Sequence, residues 1–329
     1  MKAPLFWSAP PGLVSGLLAP LSCVWTSVTR KRLSKEGIEV GIPVSCVGNL
    51  TAGGTGKTPV VMALLEKLTT KGVAAHVVSR GYGGSEEGPL QVNERKHSAA
   101  EVGDEPLLLS SFGPVWVAKD RAQGAIAARD AGAEVIVLDD GFQNPSLAKT
   151  QSILVIDAQA GFGNGCVMPA GPLREPVEDG MARADLIVLI GPESARRDFL
   201  TTQSLPLEVL EAELTPLQTG MAWEGLRALA FAGIGRPEKF FDSLRRAGVD
   251  LIETRSFADH APYRRDLLRR LLAEAKSKGA QLVTTEKDAV RLPQELRSEI
   301  LTFPVRLSFE HEARLDALVQ HAVKSGFQR

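Results

Sequence analysis

Val44-Ser45-Cys46-Val47-Gly48-Asn49-Leu50-Thr51-Ala52-Gly53-Gly54-Thr55-Gly56-Lys57-Thr58-Pro59 passes from an apolar run through a glycine-rich turn into a helical pattern. Val44–Val47 reads as a strand, and the residues from about Pro59 to Lys71 read as a helix. A strand, a Gly-x-Gly-Lys-Thr turn and a helix N-terminus together form a phosphate-binding loop. Glycines let backbone N–H groups converge on phosphate oxygens without a Cβ in the way, and the helix end adds positive potential. Thr51, Ala52, Gly53, Gly54, Thr55, Gly56, Lys57 and Thr58 are therefore the candidate ATP-binding residues. Lys57 is placed to reach the β- and γ-phosphates and the Thr58 hydroxyl to bind Mg²⁺. Thr51 stands where the first glycine of the usual motif would be.

Outward from this loop, short apolar runs alternate with helical patterns, the signature of βα units around a parallel sheet. Strands are expected at Ala75–Ser79, Val115–Ala118, Glu134–Leu138, Ile153–Ile156 and Leu186–Ile190, with a helix at Arg121–Ala131. A second series begins near Leu226: strand Ala228–Ala232, helix Pro237–Ala247, strand Leu251–Ser256, helix Tyr263–Lys278 and strand Gln281–Thr285. A strand at Thr302–Leu307 and a terminal helix complete it. Between the series, Leu207–Leu214 and Thr219–Trp223 suit a connecting ribbon. The expected fold class is α/β: a P-loop-containing parallel-sheet α/β/α domain plus a second, smaller α/β/α domain. The division is 1–30 as an N-terminal segment, 31–204 as the P-loop domain, 205–225 as a two-stranded linker and 226–329 as the C-terminal domain.

Composition agrees with this division. A chain of 329 residues exceeds the size at which single cores usually stop growing, and 44% hydrophobic residues supply two cores. A formal net charge of -1 gives no overall field toward nucleic acid. Cys23, Cys46 and Cys166 are far apart and odd in number, so they form no disulfide framework or metal cluster and read as reduced thiols. The N-terminus differs from the rest. Ala3–Val28 carries no charge, bears Trp7 and Trp25, and runs into Arg30-Lys31-Arg32. Pro10, Pro11 and Pro20 interrupt it, leaving uninterrupted stretches too short for a bilayer span of about 20 residues. An interfacial segment on an anionic membrane surface and a helix packed on the protein body both fit.

Further candidate chemistry lies at strand ends. Val135–Leu138 ends in Asp139-Asp140-Gly141, as a metal-binding Walker B strand does. Gly103-Asp104-Glu105-Pro106 precedes an apolar run, where Asp104 reads locally as a helix cap. Arg80-Gly81-Tyr82-Gly83-Gly84 suits close backbone approach to a ligand. Arg174, in a proline-restrained loop, suits a phosphate or a developing negative charge. His260 follows Asp259 ahead of a helix, with no local sign of a role.

Taken together, Gly48-Asn49, Gly53–Pro59, Ser79–Gly83, Val102–Pro106, Leu138–Gln143, Met168–Pro176, Asp259-His260 and Thr284–Leu292 resemble the lipid A 4′-kinases, or tetraacyldisaccharide 4′-kinases. The resemblance spans most of the chain and is densest from Gly48 to Pro176. It implies transfer of the ATP γ-phosphoryl to the 4′-hydroxyl of an acylated disaccharide 1-phosphate, with Mg²⁺, at the cytoplasmic face of a bacterial inner membrane. It also gives the apolar N-terminus a membrane surface as partner. It implies Asp104 as base with His260 as its partner, Asp139 and Asp140 as metal ligands, Arg121 and Arg174 near the transferring phosphate, and Tyr82 and Glu175 in substrate binding. The family commonly has His where Asn144 stands. Gly53–Thr58 also looks like the P-loop of nucleotide-switch ATPases of the partitioning and nitrogenase-reductase type, but those usually carry an extra Lys where this chain has Ala52.

Overall fold

The computed structural model describes residues 4–324, so Lys2 lies outside the described residues. In chain order the elements begin with α1 (Leu13–Leu33), β1 (Val44–Gly48), α2 (Lys57–Thr70), β2 (Ala75–Ser79), β3 (Leu90–Gln91), α3 (Ala99–Val102), α4 (Asp104–Leu109) and β4 (Val115–Val117). Then come α5 (Arg121–Asp130), β5 (Val135–Asp139), β6 (Gln151–Asp157), α6 (Val177–Met181), β7 (Leu186–Ile190), α7 (Glu193–Thr202) and β8 (Val209–Pro216). The second unit holds β9 (Arg227–Ala232), α8 (Pro237–Arg246), β10 (Asp250–Ser256), α9 (Arg265–Ser277), β11 (Gln281–Thr285), α10 (Glu286–Ala289) and β12 (Leu301–Phe303). β13 (Val305–Phe309) and α11 (Glu312–Lys324) end the described chain.

The first sheet has the order β13-β8-β7-β6-β1-β5-β2-β4-β3 and is parallel except at its two edges. Alternation along β5 shows why its strands are apolar throughout. Val135 and Val137 join one core with Leu64, Leu65 and Leu107, while Ile136 and Leu138 join another with Ala125 and Met181. Both faces are covered by helices, so no polar alternation survives. The smaller sheet, β10-β9-β11-β12, repeats the arrangement with α8 on one face and α9 on the other. Strand C-termini of open α/β sheets form ligand crevices, and β1 and β5 deliver the phosphate loop and the paired acids to one such edge.

Four sequence expectations need correction. The single strand at Thr302–Leu307 is two strands, because Pro304 has no N–H to continue the ladder. β12 finishes the small sheet, and β13 crosses back to pair with β8. The ribbon partner of β8 is thus β13 and not residues 219–223. Leu315, Leu318 and Val319 of α11 join the core of the first unit, so the chain's end does not continue the 226–329 unit. Pro20 also fails to break the N-terminal helix; α1 runs through it on an exposed face.

Candidate active site

The phosphate loop is built on a tight strand-to-helix turn. Gly56 caps α2 at φ +94°, a conformation costly for any residue with a Cβ. Burial of Val60, Val61, Leu64, Leu65 and Leu68 fixes α2 against the sheet, at about 1.5–3 kcal/mol for each large apolar side chain. The loop is also hooked to the segment carrying Arg174. Ala52 N–H donates to Pro172 O at 2.8 Å, and Arg174 N–H donates to Leu50 O at 2.7 Å.

Opposite the loop, the Asp139-Asp140 turn gathers the expected charges. Lys57 Nζ donates to Asn49 Oδ1 at 3.2 Å and lies 3.6 Å from Asp140. Arg174 Nη1 donates to Asp140 Oδ1 at 2.9 Å and to Gln143 Oε1 at 3.1 Å. Arg121, buried at the start of α5, reaches Asp140 O at 3.4 Å. Asp140 sits at φ 50°, in the left-handed region that is strained for most non-glycine residues. Burial works against its charge, but Lys57 and Arg174 outweigh burial and hold the carboxyl below its ordinary range. Asp139 is the opposite case. Burial, then the charges of Glu105 and Asp140, push its carboxyl up to about 7.

A nucleotide with a divalent cation suits this place. Asp139 Oδ1, Thr55 Oγ1 and Arg121 Nε are buried with no hydrogen-bond partner among the described residues. Orphaned buried polar atoms are costly unless something binds them. Asp139 and Asp140 supply the hard oxygen donors Mg²⁺ prefers, and Thr58 lies at the start of α2.

Asp104 and His260 come from different units and meet at the cleft. Asp104 opens α4 behind Gly103, which is the N-cap, so Asp104 is not the cap. His260 Nδ1 lies 2.9 Å from Asp104 Oδ2 and 3.1 Å from Oδ1. Burial disfavours ionised Asp104, but the His260 hydrogen bond and the charges of Lys287, His260 and Arg291 outweigh it and lower the pKa. Tyr82, 69% exposed, sets its ring edge-on to the His260 ring at 5.4 Å. A cavity of about 1000 Å³ opens beside this pair, with Tyr82, His97, Arg291 and Arg297 on its walls.

Glu175 is placed differently from the other candidates. It is 1% exposed, accepts from Gln143 Nε2 at 2.9 Å and pairs with Arg183, so its carboxylate braces the Asp140 turn from behind. Asn144 accepts from Ser146 N–H at 2.8 Å, closing a local turn. Sequence reasoning gave no role to Asn49, Gln143, Lys287, Asp288 or Arg291. Lys287, Asp288 and Arg291, charged residues clustered just past an apolar strand, were the available signal for the last three.

α1 lies over the same loop segment. Ser15, Ser22 and Thr29, spaced seven apart, are its buried residues, while Leu13, Val14, Leu17, Leu21, Val24 and Val28 are exposed. Ser22 Oγ donates to Val167 O at 2.7 Å, and Trp25 Nε1 donates to Arg174 O at 2.9 Å. The helix therefore turns its polar stripe inward and its apolar face out. No helix among the described residues is long and apolar enough to cross a membrane.

Comparison with known proteins bears on this geometry. A profile of the family described as Tetraacyldisaccharide-1-P 4′-kinase matches residues 14–324. The tetraacyldisaccharide 4′-kinase of Dinoroseobacter shibae is 57% identical over 98% of this chain and 99% of its own. That of a Jannaschia species is 54% identical over 97% of this chain and 98% of its own. The crystal structure of LpxK from Aquifex aeolicus in complex with ATP aligns at a TM-score of 0.75 and 26% identity, covering 94% of this chain and all of that one.

Proposed function

This chain belongs to the tetraacyldisaccharide-1-P 4′-kinase family and is an ATP-dependent lipid A 4′-kinase, and we propose how its residues carry the transfer. The nucleotide-switch alternative is not favoured by these relatives. ATP lies with its phosphates on Thr51–Thr58, Lys57 drawing charge from the β,γ-bridge. Thr58, Asp139 and Asp140 would hold Mg²⁺, which would supply charge neutralisation on the phosphates. Arg174 and Arg121 face the phosphoryl group as it moves. The 4′-hydroxyl oxygen of tetraacyldisaccharide 1-phosphate attacks the γ-phosphorus, the bond from that phosphorus to the bridging oxygen breaks, and its electron pair leaves with ADP. Asp104 takes the hydroxyl proton, contributing about 10²–10⁴-fold, and His260 orients the carboxylate. Tyr82 lines the acceptor's approach. Glu175 serves the substrate indirectly, by bracing Gln143 and with it Arg174.

The observation that carries this reading is the Asp104–His260 hydrogen bond across the cleft, at the strand edge that also bears the phosphate loop. The outward apolar face of α1, followed by Arg30, Lys31 and Arg32, supports peripheral attachment to the cytoplasmic face of a bacterial inner membrane. Incubation with ATP, Mg²⁺ and tetraacyldisaccharide 1-phosphate should add one phosphate by mass. Lys57→Ala should lower the rate about 10²–10³-fold. Retention of more than about a tenth of the rate would refute the loop assignment.

A further inference from the structure

Arg291 lies just past α10, with its side chain 6% exposed, and each end of its guanidinium has separate work. Nη1 donates to Ala261 O at 2.9 Å and Nη2 donates to Gly233 O at 2.8 Å. Both carbonyls belong to the housing of His260. Ala261 is the next residue in the chain, and Gly233 O also accepts the His260 N–H at 3.2 Å. His260 sits at φ 59°, in the left-handed region, which costs a non-glycine residue about 1–3 kcal/mol and persists only where surrounding bonds enforce it. Asp288 anchors the enforcing group. It is fully buried, pairs with Arg291, and accepts from Tyr263 OH at 2.6 Å and Gly233 N–H at 3.0 Å. The Tyr263 ring packs against the guanidinium at 5.2 Å.

The Nε–H is buried with no hydrogen-bond partner among the described residues, and Nε lies 3.8 Å from Asp104 Oδ2. Geometry thus points to Arg291 as the positioning residue of the acid–histidine pair: it holds the strained loop that carries His260 and sets a fixed positive charge behind the Asp104 carboxylate. This rests on the reading of Asp104 as the base. Arg291 touches no reacting atom. Its two functions belong to different atoms, so they are separable by substitution.

The other charged or titratable groups around Asp104 are His260 and Asp259 on the 258–262 loop, Lys287 at 4.0 Å, its neighbour Glu105, and Tyr82 against the His260 ring. Lys287 is already engaged, donating to Glu105 Oε1 at 2.9 Å. Arg291 is the more buried of the two cations and the only one of them that also grips the loop.

The test measures kcat, KM for ATP and the pH dependence of kcat for Arg291→Met, Arg291→Lys and Asp104→Asn, and for Arg291→Met combined with Asp104→Asn. Arg291→Met should lower kcat about 10–10²-fold, the scale of a misplaced catalytic group, with KM for ATP within about twofold. Its acidic limb should move to higher pH, because loss of the cation makes ionised Asp104 harder to form. Arg291→Lys keeps charge but cannot span both carbonyls, so it should restore the acidic limb and leave kcat low. On the Asp104→Asn background, Arg291→Met should add little, as members of one unit are non-additive. An unshifted limb with wild-type kcat in Arg291→Met, or full multiplication of losses in the double variant, would overturn the proposal. A near-normal Asp104→Asn would instead overturn the base assignment beneath it. Should Arg291→Met fail to fold with Asp288 left unpaired, Arg291→Lys decides alone: a normal kcat there contradicts the loop-holding role.

Discussion

Asp139 and Asp140 are adjacent carboxylates with opposite tendencies. Asp140 has Lys57 and Arg174 to hold its charge, whereas Asp139 is buried and, among the described residues, accepts from Ser79 Oγ at 3.1 Å, with burial and the charges of Glu105 and Asp140 outweighing the pull of Lys57. A carboxyl whose folded pKa is about 7, against about 4 when unfolded, keeps a proton in the fold that the unfolded chain has lost. Its burial therefore costs progressively more stability as pH rises through that interval. Without nucleotide or metal, Asp139→Asn should raise the melting temperature, with a gain that grows between about pH 4 and pH 7 and is flat above. The same variant should lose nearly all turnover. Thermal scans across pH check the first half, and a gain independent of pH would contradict the burial argument. Asn144→Ala should be mild by comparison, since the Asn144 side chain closes a turn with Ser146 and, among the described residues, hydrogen-bonds none of the charged groups. A stability loss of about 0.5–1.5 kcal/mol with kcat nearly unchanged is expected. A kcat loss as deep as that of Asp139→Asn would show chemistry at Asn144. The paired acids and Lys57 were readable in the sequence because their spacing to a strand end is fixed by backbone geometry. Arg291 was only hinted at by the charged cluster past β11, and its role was not readable, since its contacts with Asp104, Gly233 and Ala261 lie far away in the chain.

Among the elements, α1 is the one whose sequence left two placements open, a membrane-surface segment and a helix packed on the body. In the structure it does pack on the body, but by Ser15, Ser22 and Thr29, with its apolar face exposed. Hydrogen bonds to Val167 O, Asn164 and Arg174 O explain the inversion, because that loop presents backbone carbonyls and an amide rather than a hydrophobic surface. Glutamate at Leu13, Leu17 and Leu21 together should leave melting temperature and ATP binding close to wild type, as these side chains are exposed. It should also abolish flotation with anionic vesicles, since each buried leucine is worth up to about 1.5–3 kcal/mol. Unchanged flotation would remove the membrane role from this face. The long strands and helices were legible from period and turn residues, but β3, α3 and α10 were not. Two to four residues carry no periodicity, and their form is set by what they pack against.

Across the whole molecule, the two units are tied at several points around one cleft. Arg236 and Lys239 of the second unit reach Asp157 at the end of β6, and Lys287 reaches Glu105. β13 and α11 return to the first unit, giving a second covalent crossing at Pro304. The sequence announced two α/β series but not this return, which depends on one proline and on a pairing between β8 and β13 far apart in the chain. Such an arrangement brings residues of both units together at the cleft. On the proposed reading the catalytic base is a joint product of both units: Asp104 belongs to one, His260 to the other. The most direct test of that claim is a cycle of kcat for wild type, Asp104→Asn, His260→Ala and the double variant, with tetraacyldisaccharide 1-phosphate and ATP saturating. Residues that act as one unit predict a double variant scarcely slower than Asp104→Asn alone, with KM for ATP little changed throughout. Losses that multiply in full would mean that Asp104 and His260 do not act as a pair.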